Sequence, residues 1–117
     1  IRIGTHCGIS GSTIYAWESI EIGDYTRVGA NCKIIDNDFH PVELENRHQA
    51  SNEQHTRRAP IVIGNDCFIG MNSIILKGTT LGNNVIVGAG SVVHGHFPDN
   101  VIIAGNPAKI VKYMKAQ

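Results

Sequence analysis

Aliphatic residues recur at every sixth position over most of the chain, and the residue that follows is usually glycine. The run Ile63-Gly64, Ile69-Gly70, Ile75, Leu81-Gly82, Val87-Gly88 and Val93 holds that spacing without a break. An earlier run reads Ile3-Gly4, Ile9, Ile22-Gly23, Val28-Gly29 and Ile34. A helix repeats its apolar face about every 3.6 residues and a half-buried strand every two, so neither element alone produces six. A repeat this short is the signature of stacked, near-identical turns of chain, a solenoid of short strands and corners. Three hexapeptides close one coil of about eighteen residues.

Within each hexapeptide the first residue is the inward aliphatic. The fifth is small: Cys7, Thr13, Thr26, Cys32, Cys67, Ser73, Thr79, Val85 and Ser91. Fifth and next first are two apart, so along a strand both point inward. All three cysteines occupy this position, which reads as packing rather than catalysis or metal binding. Glycine at the second position, as in Gly64, Gly70, Gly82 and Gly88, suits a corner that needs positive φ or close backbone approach. Asp24, Asn31, Asn65, Asp66, Asn83 and Asn84 stand beside these glycines and favour turns.

The phase breaks twice. A slip falls between Tyr15 and Ile22, where Trp17, Glu18 and Ser19 bulge a turn. Residues 41–60, between Pro41 and Pro60, have no hexapeptide phase and are polar, and the repeat resumes beyond them. A loop that long is expected to be extruded from a corner as an active-site flap. At the far end, residues 106–116 read as a short helix. Asn106 would cap it, Pro107 would open it, and Ile110, Val111 and Met114 would form one apolar face. One domain spanning 1–117 is expected. No polar or helical cap precedes Ile1, so the chain reads as a shortened version of a longer protein or a minimal relative of one.

Composition narrows the function classes. Ten Lys and Arg balance ten Asp and Glu, which argues against a nucleic-acid stripe. There is no apolar run of membrane-spanning length. Three cysteines without metal-ligand spacing suit a reduced, cytoplasmic protein.

The segment Ile63-Gly64-Asn65-Asp66-Cys67-Phe68-Ile69-Gly70, the run Gly88-Ala89-Gly90-Ser91-Val92-Val93, the end Ala104-Gly105-Asn106-Pro107-Ala108 and the stretch Asp38-Phe39-His40-Pro41 resemble the hexapeptide-repeat O-acetyltransferases. That group includes galactoside, maltose, nodulation-factor and capsular-sugar acetyltransferases. The resemblance covers essentially the whole chain. It implies an all-β, left-handed parallel β-helix, a homotrimer with sites between subunits, and acetyl-CoA as donor with no metal. It implies that His40 is catalytic. The acceptor-binding asparagine and aspartate of the family fall on Ser10 and near Glu18, two departures. The resemblance gives Met71, Ala89, His94, Lys109 and Lys112 to the cofactor. Ala89 is a full match, His94 replaces a threonine, Lys109 and Lys112 stand where arginine is frequent, and Phe68 stands where tryptophan is frequent.

The chemistry suits these residues. A neutral imidazole, with an ordinary pKa of about 6.5, can take a hydroxyl proton at pH 7 and return it to a leaving thiolate. Asp36, Asn37 and Asp38 lie just upstream, and one carboxylate could orient the ring. Asn37 and Asp38, with Trp17, are candidate acceptor contacts. Trp17, Tyr15 and Glu18 form either a sugar platform or, for Trp17, packing between subunits. Arg57 and Arg58 read a sugar-nucleotide phosphate or are a solvated loop edge. Lys109 and Lys112, three apart on the expected helix, would share one side and meet the phosphates of CoA.

Two other readings compete with transfer to a carbohydrate hydroxyl. A γ-class carbonic anhydrase-like zinc protein would use histidines, but His94 and His96 are the single close pair. A non-catalytic trimeric assembly module would bind no acetyl-CoA.

Overall fold

In this computed structural model the described residues are 1–115. The hexapeptide phase becomes three sheets, one on each side of the coil. The first stacks β1 (Arg2–Ile3), β4 (Ile20–Ile22), β7 (Ile61–Ile63), β10 (Thr80–Leu81) and β13 (His96–Phe97). The second stacks β2 (Gly8–Ile9), β5 (Arg27–Val28), β8 (Phe68–Ile69), β11 (Val85–Val87) and β14 (Val101–Gly105), followed by β15 (Ala108–Tyr113). The third stacks β3 (Thr13–Tyr15), β6 (Lys33–Ile35), β9 (Ile74–Ile75) and β12 (Val92–Val93). Strands of successive coils pair in parallel, so the sixth-residue aliphatics form columns: Ile22, Ile63 and Leu81; Val28, Ile69 and Val87; Ile34, Ile75 and Val93. All nine are buried. Each contributes about 1.5–3 kcal/mol of burial, which supports the coil with almost no helix.

The second-position glycines answer to close approach, not to φ. A Cβ on Gly64 would stand 2.4 Å from the Gly82 carbonyl oxygen and 2.7 Å from Asn83 Oδ1. The left-handed residues come two positions later, at Tyr25, Asp66 and Asn84, with φ of 58°, 58° and 54°. Space and conformation are thus divided between two positions of the repeat.

Fifth-position side chains do more than fill space. Thr26 Oγ1 donates to the Gly64 carbonyl at 2.8 Å, Cys32 Sγ to Gly70 at 3.2 Å, and Cys67 Sγ to Gly82 at 3.2 Å. Each ties one coil to the next, and burial pushes the Cys67 thiol pKa up. Thr13 does not take this role as expected. Ile9 pairs with Val28 and Thr13 with Lys33, so this corner has 13 − 9 = 4 steps where the next coil has 33 − 28 = 5. Ser12 therefore reaches inward instead, donating to the Gly29 carbonyl at 2.9 Å, while Thr13 is exposed.

Between β6 and β7 the chain leaves the coil. This segment holds a single-turn helix α1 (Leu44–Arg47) and a 3₁₀ turn at Glu53–His55. The coil then resumes in register, Ile61 pairing with Ile20.

The expected helix over 106–116 is absent from the described residues, and position 116 lies outside them. A turn at Gly105 (φ 112°) and the cis Asn106–Pro107 bond send β15 back antiparallel along β14. The physical reason is the open edge of the last coil. Its backbone groups need partners, and a returning strand supplies them where a helix cannot.

Candidate active site

The site is built where the chain leaves β6. Asp36 is fully buried, which a carboxylate tolerates only with donors around it. Its Oδ1 accepts the Trp17 N–H at 2.8 Å and its Oδ2 the Glu18 N–H at 2.7 Å. Asn37 Nδ2 also donates to Oδ1, at 3.1 Å. Asp36 thus pins the Ala16–Ser19 bulge against the root of the loop.

The next residues form a fixed turn. Asn37 Oδ1 accepts the Phe39 N–H at 2.9 Å, and the His40 N–H donates to the Asp38 carbonyl at 2.6 Å. Phe39 has a φ of 63°. A bulky residue there costs on the order of 1–3 kcal/mol and persists only where surroundings enforce it. Three contacts do so. Lys77 Nζ meets Asp38 Oδ1 at 2.9 Å, the Asp38 N–H donates to the Arg57 carbonyl at 3.1 Å, and the Phe39 ring stacks on Tyr15 with centroids 5.4 Å apart. His40 is exposed at the end of this turn. Among the described residues, neither Asp36 nor Asp38 makes a hydrogen bond to its ring.

A groove of about 560 Å³ runs between this turn and the outer face of the third sheet. Asn37, Asp38, Phe39 and His40 form one wall, and Lys33, Ile35, Ile74 and Leu76 the other. Trp17 and Glu18 are joined to the root of this turn by their backbone bonds to Asp36. Trp17 Nε1 donates to the Tyr15 hydroxyl at 2.7 Å, and the Arg58 guanidinium lies 5.0 Å over the Trp17 ring.

The remaining expected residues fall on a different edge. Gly70 and Gly88 carry Met71 and Ala89 on the corner between second and third sheets. There the Gly90 N–H donates to the Met71 carbonyl at 2.9 Å. Ser10 occupies the same corner two coils before Met71, bonded by its N–H to the Val28 carbonyl. His94 does not join them. It follows Val93, whose carbonyl accepts the Leu76 N–H, and so lies on the corner that carries Lys77 and the His40 turn. The third sheet separates the two edges. Ala89 and His94 are five residues apart, at most about 17 Å along an extended chain.

Lys109 and Lys112 are on β15, opposite Ala104 and Ile102. A strand would put residues three apart on opposite faces, but a bulge at Val111 restores them to one face. They still diverge along the strand. Ala104 stands over Gly88, which extends the Met71–Ala89 edge to Lys109. Lys112 lines a separate groove of about 550 Å³ with Asn84. Among the described residues no three His, Cys, Asp or Glu side chains group so as to hold a metal ion, and no helix is long and apolar enough to cross a membrane.

Lys77 is a site residue that the sequence reading missed. Ile34 pairs with Ile75. The same offset of 41 places Lys77 over Asp36, so register arithmetic could have found it.

Residues 60–94 match the family model described as the hexapeptide repeat of succinyl-transferase. The WbbJ protein of Escherichia coli, named for O-acetyl transfer in lipopolysaccharide biosynthesis, is 36% identical over 81% of this chain and 50% of its own length. Galactoside O-acetyltransferase of Escherichia coli is 35% identical over 78% of this chain and 46% of its own. The chain thus spans about half the length of these curated relatives. A hexapeptide-repeat-containing acetyltransferase of Vibrio cholerae, solved with acetyl coenzyme A, superposes with a TM-score of 0.85 at 32% identity, covering 98% of this chain and 61% of that one. The six-residue phase, the three-sided coil and these likenesses agree: the chain is a hexapeptide-repeat coil similar in sequence and fold to O-acetyltransferases.

Proposed function

We propose that the chain forms the catalytic coil of an acetyl-CoA-dependent O-acetyltransferase whose acceptor is a sugar or sugar-containing hydroxyl. The observation that carries this is His40, held on an enforced turn at the rim of a groove in a coil of this kind. The hydroxyl oxygen attacks the thioester carbonyl carbon while His40 takes the hydroxyl proton. The C–S bond then breaks, and the proton passes from His40 to the departing thiolate. Base and nucleophile held at contact distance turn a bimolecular encounter into a local one.

The donor edge is assigned to Met71, Ala89 and Lys109. Gly90 supports this choice, because a Cβ added there would meet nothing within 4 Å and the corner backbone is open to an extended amide chain. Asn37, Asp38, Trp17 and Glu18 are assigned to the acceptor side. The donor edge and the His40 edge lie across the third sheet from each other. One copy's base therefore works with a neighbour's donor edge, in a closed trimer with three equivalent sites. Ser10 and His94 then join the site from opposite copies. Lys112 has no donor role here. Three free thiols, Cys7, Cys32 and Cys67, suit a reducing cytoplasmic setting.

Free-thiol release from acetyl-CoA tests the base. His40→Ala lowers turnover by about 10²–10⁴-fold and leaves donor affinity unchanged. A turnover within a few-fold of the parent removes His40 from the chemistry.

A further inference from the structure

We propose that Arg58, Trp17, Tyr15 and Phe39 form a subsite for an acceptor sugar that carries an anionic group, carboxylate or phosphate. The inference deepens the acetyl-transfer reading and depends on it for its meaning, though not for its test.

Two neighbouring arginines in the loop have different partners. Arg57 Nη2 pairs with Glu43 Oε2 at 2.8 Å. Arg58 has no carboxylate partner among the described residues. Its guanidinium lies 5.0 Å over the Trp17 ring instead. A guanidinium laid on an aromatic face keeps its in-plane N–H groups free, and those groups match the two oxygens of a carboxylate or phosphate. The stack also fixes the side chain in advance, so less freedom is lost on binding.

Arg58 is tied by its backbone to the turn that carries the proposed base. Arg58 bridges antiparallel to Asn37, three residues before His40. Trp17 bonds to Tyr15, Tyr15 stacks on Phe39, and Phe39 lines the His40 groove. Tyr15 and Phe39 remain 40% and 45% exposed. Rings that only filled a core would be buried. Exposed rings beside a pre-oriented cation offer an apolar face to a sugar ring and an anchor to its charged substituent. A neutral sugar would leave that anchor unused.

Trp17 is the single tryptophan, so its emission reports the subsite directly. The purified chain is titrated with glucuronate, glucose 6-phosphate and glucose at constant ionic strength, without acetyl-CoA. The expected result is a saturable change with glucuronate, glucose 6-phosphate or both, and none with glucose over the same range. A response to one anion alone identifies carboxylate or phosphate as the group recognised. Arg58→Gln shifts the midpoint about tenfold or more. Arg58→Lys falls between, and Arg57→Gln leaves the midpoint near the parent value. An equal response to glucose, an unmoved midpoint in Arg58→Gln, or no saturable response because a second copy covers the rings overturns the proposal. Acetyl transfer is measured separately by thiol release, so either reading can fail alone.

Discussion

Thr26 shows how single residues hold the coil. Its hydroxyl donates to the Gly64 carbonyl and accepts the Cys67 N–H at 3.1 Å. Thr26→Val keeps the shape and strands both backbone groups in a buried corner. The expected loss is about 1–3 kcal/mol, read as a lower urea midpoint with an unchanged slope; an unchanged midpoint would contradict the tie between coils. Residue type at such positions was legible, because six-residue phase fixes which side chains point inward. The hydrogen bonds were not, because they depend on which carbonyl the next coil presents. The glycines teach the same point: the repeat marks them as special, but only the spacing between coils distinguishes close approach from positive φ.

In the loop, the Glu43 carboxyl is held in its charged form by its neighbours. Its own backbone N–H and then the Arg57 guanidinium hold its carboxyl below the usual 4.5. A lowered folded value means this stabilisation is fully present above about 4.5 and is lost as pH falls through the lowered one. Followed by NMR, the Glu43 carboxylate is expected to titrate below 4.5. Arg57→Gln should move the midpoint part of the way up, the backbone contribution remaining. An unmoved midpoint would show that the ion pair does not form in solution.

At the scale of elements, the extruded loop and the last strand divide what sequence can reveal. Loss of phase between Pro41 and Pro60 announced the loop, and the Asp-Phe-His-Pro stretch drew attention to His40. What fixes His40 was hidden, since Lys77 is 39 residues from Asp38 and meets it only through coil stacking. Lys77→Ala is expected to lower kcat several-fold with little change in stability, as for a partly exposed ion pair worth about 1 kcal/mol or less. Lys77→Arg should restore most of the rate. Equal rates in all three proteins would leave the turn enforced by its other contacts alone. The last strand was misread because Ile110, Val111 and Met114 fit a helical face, and local pattern cannot register that β14 needs a partner. The expectation that a helix gathers Lys109 and Lys112 fails with it: both stand on β15, and Lys112 opens on a separate groove.

The whole molecule is a rod of 50 × 28 × 21 Å, and a rod of near-identical coils repeats its corners along its length. That regularity places Met71 and Ala89 on one edge of the third sheet and the His40 turn on the other. The resemblance gathered all these residues into one list, and within one copy the coil separates them. The central claim is that neighbouring copies bring the two edges together. Co-expression of two inactive variants, His40→Ala and Ala89→Trp, each with its own tag, tests it most directly. In mixed trimers an interface is intact when one copy supplies the base and its neighbour the donor edge, so random assembly should return about a quarter of the parent thiol-release activity. If the edges acted within a single copy, every chain would lack one of them, and the mixed trimers would be as inactive as either variant alone.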